Sequence, residues 1–123
     1  MKFNLFAVEL SSSASVDRLV TKVVIAGSDV SFNCTLNKSC VNQSIDWEYY
    51  STFDMPVLWY RRGRLNPILE FSNVTVDENS ARGWSVLRIA GLTFADRGIF
   101  RCSVLGLHYG CQMKFPLTVT GNV

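Results

Sequence analysis

Apolar and polar positions alternate with a period of two along most of this chain. Val30, Phe32 and Cys34 fall on one side of residues 30–35, and Ser31, Asn33 and Thr35 on the other. Phe100, Cys102 and Val104 share a face opposite Ile99, Arg101 and Ser103, and Met113, Phe115, Leu117 and Val119 repeat the pattern over Met113–Thr120. One buried face and one wet face is the mark of antiparallel strands. Ser44–Tyr50, with Ile45, Trp47 and Tyr49 in phase, and Val57–Arg61 read as two more strands joined by the turn Ser51–Pro56. Thr21–Ala26 reads as a strand turned by Gly27, Ser28 and Asp29 into the next one. Beyond Pro67, which disfavours a central strand, Ile68–Phe71 is expected as a short edge strand and Asn73–Asp77 as its successor. Asp77–Gly83 is turn-rich, and Trp84–Ile89 is a strand too apolar for alternation to set its register, with Trp84 as half-buried packing. Leu105–Gly110 is a hairpin tip. The prediction is an all-β chain, with 1–20 an N-terminal strand and Ser-rich segment and 21–120 one domain.

Composition narrows the chemistry. The 123 residues suffice for one two-layer core, and a net charge of +2 is too small to predict nucleic acid or membrane binding. FNLFAVEL is short and interrupted by Asn4 and Glu9, so it is no removable signal peptide, and no apolar run of about 20 residues occurs. We therefore expect an excised ectodomain, with Met1 an expression start and any membrane anchor outside the chain. Four Cys without a C-x-x-C pair favour an oxidising compartment over a zinc site, and His108, the only His, lacks ligand spacing. No metal and no cofactor are expected. His108 also has no neighbouring acid, which leaves nucleophilic catalysis without a base, so the chain is read as no enzyme. Asn33, Asn37, Asn42 and Asn73 each open an N-x-Ser/Thr triplet, the acceptor pattern for N-glycosylation. Asn33 must point outward if Cys34 points inward, and Asn37 and Asn42 fall on a loop.

The stretch Asp96-Arg-Gly-Ile-Phe-Arg-Cys102 resembles the D-x-G-x-Y-x-C signature of the immunoglobulin superfamily, whose Cys pairs with one about 65 to 75 residues upstream. Cys34 stands at that distance. Trp47, 13 residues after Cys34, matches the family's core indole; Trp59 would force an irregular connection of about 20 residues. The resemblance implies an immunoglobulin-like β-sandwich, V-type and Greek key, with Cys34 and Cys102 bridging the sheets and Trp47 packed on the bridge. It also implies that the loop after the first cysteine's strand and the 105–110 tip emerge at one end. A second bridge, Cys40 to Cys111, follows from that topology, and the alternative is a bond from one of them to a second chain. Three departures matter. Phe100 lacks the hydroxyl of the family's tyrosine corner. The Arg that pairs with the Asp of D-x-G has only Arg64 and Arg82 as candidates. The last strand has no Gly-x-Gly bulge, which argues against an antigen-receptor variable domain.

The family's fold hosts many functions, so function must come from a site. What the resemblance implies is a cell-surface or secreted recognition domain, an immune receptor or ligand or a cell-adhesion molecule. It would bind a protein partner through the sheet of strands G, F, C and C′ and the F–G tip, with homo- or heterodimers left open. Leu107 and Tyr109 on the tip, with Tyr50 and Tyr60 pointing out of the sheet, are the expected contact residues. Arg101 is expected to gather with Arg61, Arg62, Arg64 and Lys114 toward an acidic partner or glycan, or else to form a solvated face. DRGIFRCSV also resembles the B7 family of immune ligands. The alternatives are a structural spacer domain of a longer ectodomain and a virus-encoded immune decoy. A contiguous apolar patch on that sheet would favour recognition, and a polar, glycan-covered one a spacer.

Overall fold

The computed structural model describes residues 18–40, 44–51, 55–104 and 111–121. Two sheets face each other. The front sheet runs β1 (Arg18–Leu19), β10 (Gln112–Thr120), β9 (Gly98–Val104), β4 (Ile45–Tyr50), β5 (Val57–Arg61) and β6 (Arg64–Leu65), with β2 (Lys22–Ile25) also on β10. The back sheet is β3 (Val30–Thr35), β8 (Trp84–Ile89) and β7 (Val74–Asn79). The pairs are antiparallel except β1 and β2, which run parallel to β10. The all-β fold expected from the alternation, and the sandwich that the resemblance implies, are therefore observed, with Arg18–Leu19 already part of a sheet.

The inner faces meet around one rung. Cys102 on β9 lies opposite Trp47 on β4, and Cys34 on β3 lies opposite Ser85 on β8. The Cys34–Cys102 disulfide joins the sheets with a Cα separation of 6.5 Å, and beside it the Trp47 indole N–H donates to Ser85 Oγ at 2.8 Å. Phe32, Phe100 and Phe115 close around it, Phe32 stacking on Phe100 at 4.7 Å and Phe115 lying 5.7 Å from Trp47. In β8 it is Ser85, Leu87 and Ile89 that point inward, so Trp84 and Val86 are half-buried on the outer face. Cys40 and Cys111 form a second disulfide with Cα atoms 5.8 Å apart. With the first bridge in place, this one closes a path of only about 15 residues, which corresponds to roughly 3 kcal/mol in the chain-entropy treatment.

Edges and turns correct two expectations. The strand expected at Ile68–Phe71 is instead a 3-10 turn, Pro67–Leu69, because Asn66 caps it by accepting from the Ile68 N–H at 3.0 Å. The edge strand comes earlier, at β6, since Arg62 and Gly63 both hold positive φ (53° and 78°) and turn β5 straight back on itself. Pro116 in β10 has no N–H to give, and it falls opposite the gap between β1 and β2.

The corner before β9 is rebuilt from a neighbouring strand. Phe100 has no hydroxyl, but Tyr49, its direct partner on β4, donates to the Arg97 carbonyl at 2.6 Å. Asp96 turns back on its own turn, accepting from the Thr93 N–H at 2.8 Å, and among the described residues it has no ion pair. Arg82 lies at the far end of β8, next to Gly83, whose carbonyl accepts from Leu36. Gly98 holds φ +149°, and a Cβ there would sit 2.8 Å from both the Tyr49 ring and the Tyr50 carbonyl oxygen.

This geometry separates two substitutions. Tyr49→Phe removes the hydroxyl that reaches the Arg97 and Ala95 carbonyls and should destabilise by about 1 kcal/mol. Gly98→Ala forces the ring and backbone apart and should cost about 2 kcal/mol or more. Urea denaturation of both variants checks the ranking, and a milder effect for Gly98→Ala contradicts this view of the corner.

Candidate functional site

On the front sheet, whatever does not face the core faces outward in rows fixed by strand register. Gln112, Ser103 and Asp46 form one row, Lys114, Arg101, Glu48 and Leu58 the next, and Pro116, Ile99 and Tyr50 the third. Arg61 reaches Asp46 through its Nε at 2.9 Å, and Arg101 pairs with Glu48 through Nη2. Asp46 is only 3% exposed, and Glu48, Arg61 and Arg101 are half-buried. The centre of this face thus carries charges of both signs, with Lys114 beside the Arg101–Glu48 pair and Arg61 on Asp46, bordered by half-buried Leu58, Ile99, Pro116 and Tyr50.

Several expected site residues land here and others do not. Tyr50 and Arg101 share the outer face. Of the basic residues expected around Arg101, Lys114 is its direct partner on β10 and Arg61 lies on the same face, with Arg61 and Arg101 also paired to Asp46 and Glu48 on the central strand. Leu107 and Tyr109 lie outside the described residues, as does Asn42. Tyr60 is a correction too, since it is 8% exposed and points inward. A β-bulge is the reason: Trp47 pairs with Tyr60 but Glu48 pairs with Leu58, so β5 carries one extra residue and Trp59 and Tyr60 both turn to the core. Trp59 stacks on Tyr49 at 5.1 Å and Tyr60 donates to Glu78 Oε2 on β7 at 2.7 Å, closing the open side between the sheets.

Asp46 and Glu48 were not singled out from the sequence, though a signal was there. In Ile45-Asp-Trp-Glu-Tyr the two acids share the parity opposite the core residues, on a strand with neighbours on both sides. Two carboxylates so placed need cations across the ladder, and Arg101 and Arg61 supply them.

Asn33 is exposed on the outer face of β3, Asn37 is exposed beyond its end, and Asn73 is exposed just before β7. All three belong to the back sheet and its ends. Large exposed apolar side chains lie at Leu19, Val20, Val23 and Ile25 on the β1–β2 edge, at Met55 and Val57 by the start of β5, at Ile68 and Phe71 after β6, and at Phe94 before β9. Among the described residues no three of His, Cys, Asp and Glu gather as metal ligands, and no helix is long and apolar enough to cross a membrane.

Neither a family model nor a curated protein matches the chain. Solved structures do. The second immunoglobulin domain of the mouse polymeric immunoglobulin receptor superposes with a TM-score of 0.68 at 13% identity, over 85% of this chain and 99% of that one. The first domain of the same receptor gives 0.63 at 18% identity, over 87% and 93%. At such identities the likeness is one of fold.

The contact between Tyr60 and Glu78 makes a pH prediction. Burial first, and the Glu78 carboxylate second, raise the Tyr60 pKa above its ordinary 10.0. The folded state holds the phenolic proton more tightly than the unfolded chain, so this contribution is complete below about pH 10 and is lost as pH rises past it. Tyr60→Phe should be less stable at pH 7 yet show a shallower fall in stability between pH 9.5 and 11.5 in urea titrations. Parallel curves for the two proteins would contradict the assignment.

Proposed function

We propose that this immunoglobulin-fold chain is a variable-type recognition domain of an extracellular protein, secreted or anchored at a cell surface, that binds a protein partner through the outer face of β10, β9, β4 and β5. The observation that carries this reading is the asymmetry of the two outer faces. The front face bears the Asp46–Arg61 and Glu48–Arg101 pairs, with Tyr50, Ile99, Pro116 and Leu58 alongside, whereas the described N-glycosylation triplets lie on the back sheet and its ends.

The Glu48–Arg101 pair is near enough to solvent to add only about 0–1 kcal/mol, while the buried Asp46 needs Arg61 as its counter-charge. Their use is in recognition. A covering partner lowers the local dielectric and strengthens every charge–charge contact, and a face carrying both signs favours a partner of complementary pattern. Aromatic and aliphatic groups beside the charges supply the desolvated anchor that interface centres favour. Two disulfides suit an oxidising compartment, and both matched mouse domains come from a receptor. The Cys40–Cys111 bridge holds the flank from which residues 105–110 depart, which lowers the ordering cost of a contact made there. Whether the partner is a second copy, an immune ligand or an adhesion molecule is decided by binding.

The purified domain should be screened against an array of extracellular domains that includes the domain itself. Tyr50→Ala and Arg101→Ala should each weaken the partner found by about 2 kcal/mol, roughly 30-fold in Kd, while Arg88→Ala on the back sheet leaves it within about twofold. A partner that tolerates both front-face changes and is lost with Arg88→Ala overturns the assignment. A folded domain that binds nothing in the array favours a spacer.

A further inference from the structure

The outer face of the back sheet has an apolar centre and a polar border. Its middle strand β8 presents Trp84 and Val86, both half-buried; β3 flanks them with Ser31, Asn33 and Thr35, and β7 with Thr75, Asp77 and Asn79. Asn33 is the direct partner of Val86, and Trp84 is the diagonal neighbour on the same face. Direct partners have Cβ atoms about 5 Å apart and diagonal ones about 7–8 Å, within reach of an aromatic side chain. Among the described residues the Trp84 ring stacks on no other aromatic ring, whereas Trp47 and Trp59 are built into the core.

We propose that Asn33 carries an N-linked glycan whose first N-acetylglucosamine lies on Trp84 and Val86, so that the chain covers this face with its own sugar. The inference rests on the extracellular reading, since the transfer belongs to the secretory pathway. Asn33-Cys34-Thr35 is the acceptor triplet. The side-chain amide nitrogen of Asn33 bonds to C1 of the sugar of a lipid diphosphate-linked oligosaccharide. The bond from C1 to the diphosphate oxygen breaks, the lipid diphosphate leaves with the electron pair, and the amide gives up one proton. In the folded sheet Asn33 and Thr35 are locked opposite Val86 and Trp84, so transfer precedes pairing of β3 with β8. The order of synthesis permits this, because β8 and Cys102 both emerge long after the triplet.

Once attached, the sugar sits one side chain away from an indole face. The negative π face of Trp attracts the weakly positive C–H groups of a pyranose, and the acetamide methyl finds Val86. Asp77 and Arg88 at the border offer hydrogen-bonding partners for hydroxyl groups. Asn37 lies beyond the end of β3 and Asn73 ahead of β7, both off the face that Trp84 and Val86 share.

The test compares wild type and Thr35→Ala, each made by a secreting animal cell line and, without sugar, in bacteria. Peptide mass spectrometry should find Asn33 occupied in the secreted wild type. Loss of that sugar should lower Tm by about 3–6 °C in the secreted pair beyond any change in the bacterial pair, and Trp84→Ser should abolish the difference. Iodide quenching gives a readout independent of stability, because Trp84 is the indole on the surface; quenching should rise at least twofold when the Asn33 sugar is absent. A bare Asn33 in a secreted chain glycosylated at Asn37 or Asn73 overturns this inference and leaves the extracellular reading standing. So does an occupied Asn33 with quenching and Tm unchanged. A chain that is neither secreted nor glycosylated at any triplet overturns both.

Discussion

Everything in this domain is arranged about the rung formed by Cys34, Cys102, Trp47 and Ser85. The covalent bond sets how far apart the two sheets stand, and the indole N–H on Ser85 fixes how one slides over the other. An unpaired indole N–H or hydroxyl at that depth would lose about 1–3 kcal/mol, so the two groups hold one another in register as well as in contact. Because side chains alternate, fixing Trp47 and Cys102 inward leaves no freedom for their neighbours. Asp46 and Glu48 must face out on β4, and Arg101 and Ser103 on β9. The composition of the front face is thus a consequence of the core.

The same parity explains what was legible in the sequence. Residues 30–35, 99–104 and 113–120 alternate cleanly, and their inward sets form the core. Spacing favours Trp47 over Trp59, and the indole opposite Cys102 is Trp47. What escaped were features in which one residue changes the parity or another strand supplies a group. The bulge at Trp59 turns Tyr60 inward, and nothing local in Val57-Leu-Trp-Tyr-Arg marks it. The hydroxyl at the corner before β9 comes from Tyr49, remote in the chain, so a motif read within Asp96–Cys102 finds only Phe100. The tight turn at Arg62-Gly63 was concealed by the preference of Arg for negative φ, and it moved the edge strand from Ile68–Phe71 back to Arg64–Leu65. The ion pairs on the front face required knowing that β4 sits between β9 and β5, which is topology rather than pattern.

The two proposals together imply a division of labour between the two outer faces. The back sheet is narrow, its polar edges surround two apolar side chains, and an acceptor asparagine stands beside them. Opposite it, the wide front sheet offers charges that already have partners, which favours a selective contact over adhesion to any acidic surface. The disulfide from Cys40 to Cys111 ties the segment after β3 to the start of β10 at one end of the sandwich.

The central claim is that recognition belongs to the front face, and steric occlusion reads it most directly. Gln112→Asn with Lys114→Thr introduces an acceptor triplet on the outer face of β10, beside Ser103 and Arg101; Arg88→Asn with Ala90→Thr introduces one on the outer face of β8. Both proteins would be secreted from animal cells, checked for occupancy at the new triplet by mass spectrometry, and titrated against the partner by surface plasmon resonance. Loss of binding with sugar at position 112, and binding within about twofold of wild type with sugar at position 88, is the result predicted here. Full occupancy at position 112 with undiminished affinity would contradict it.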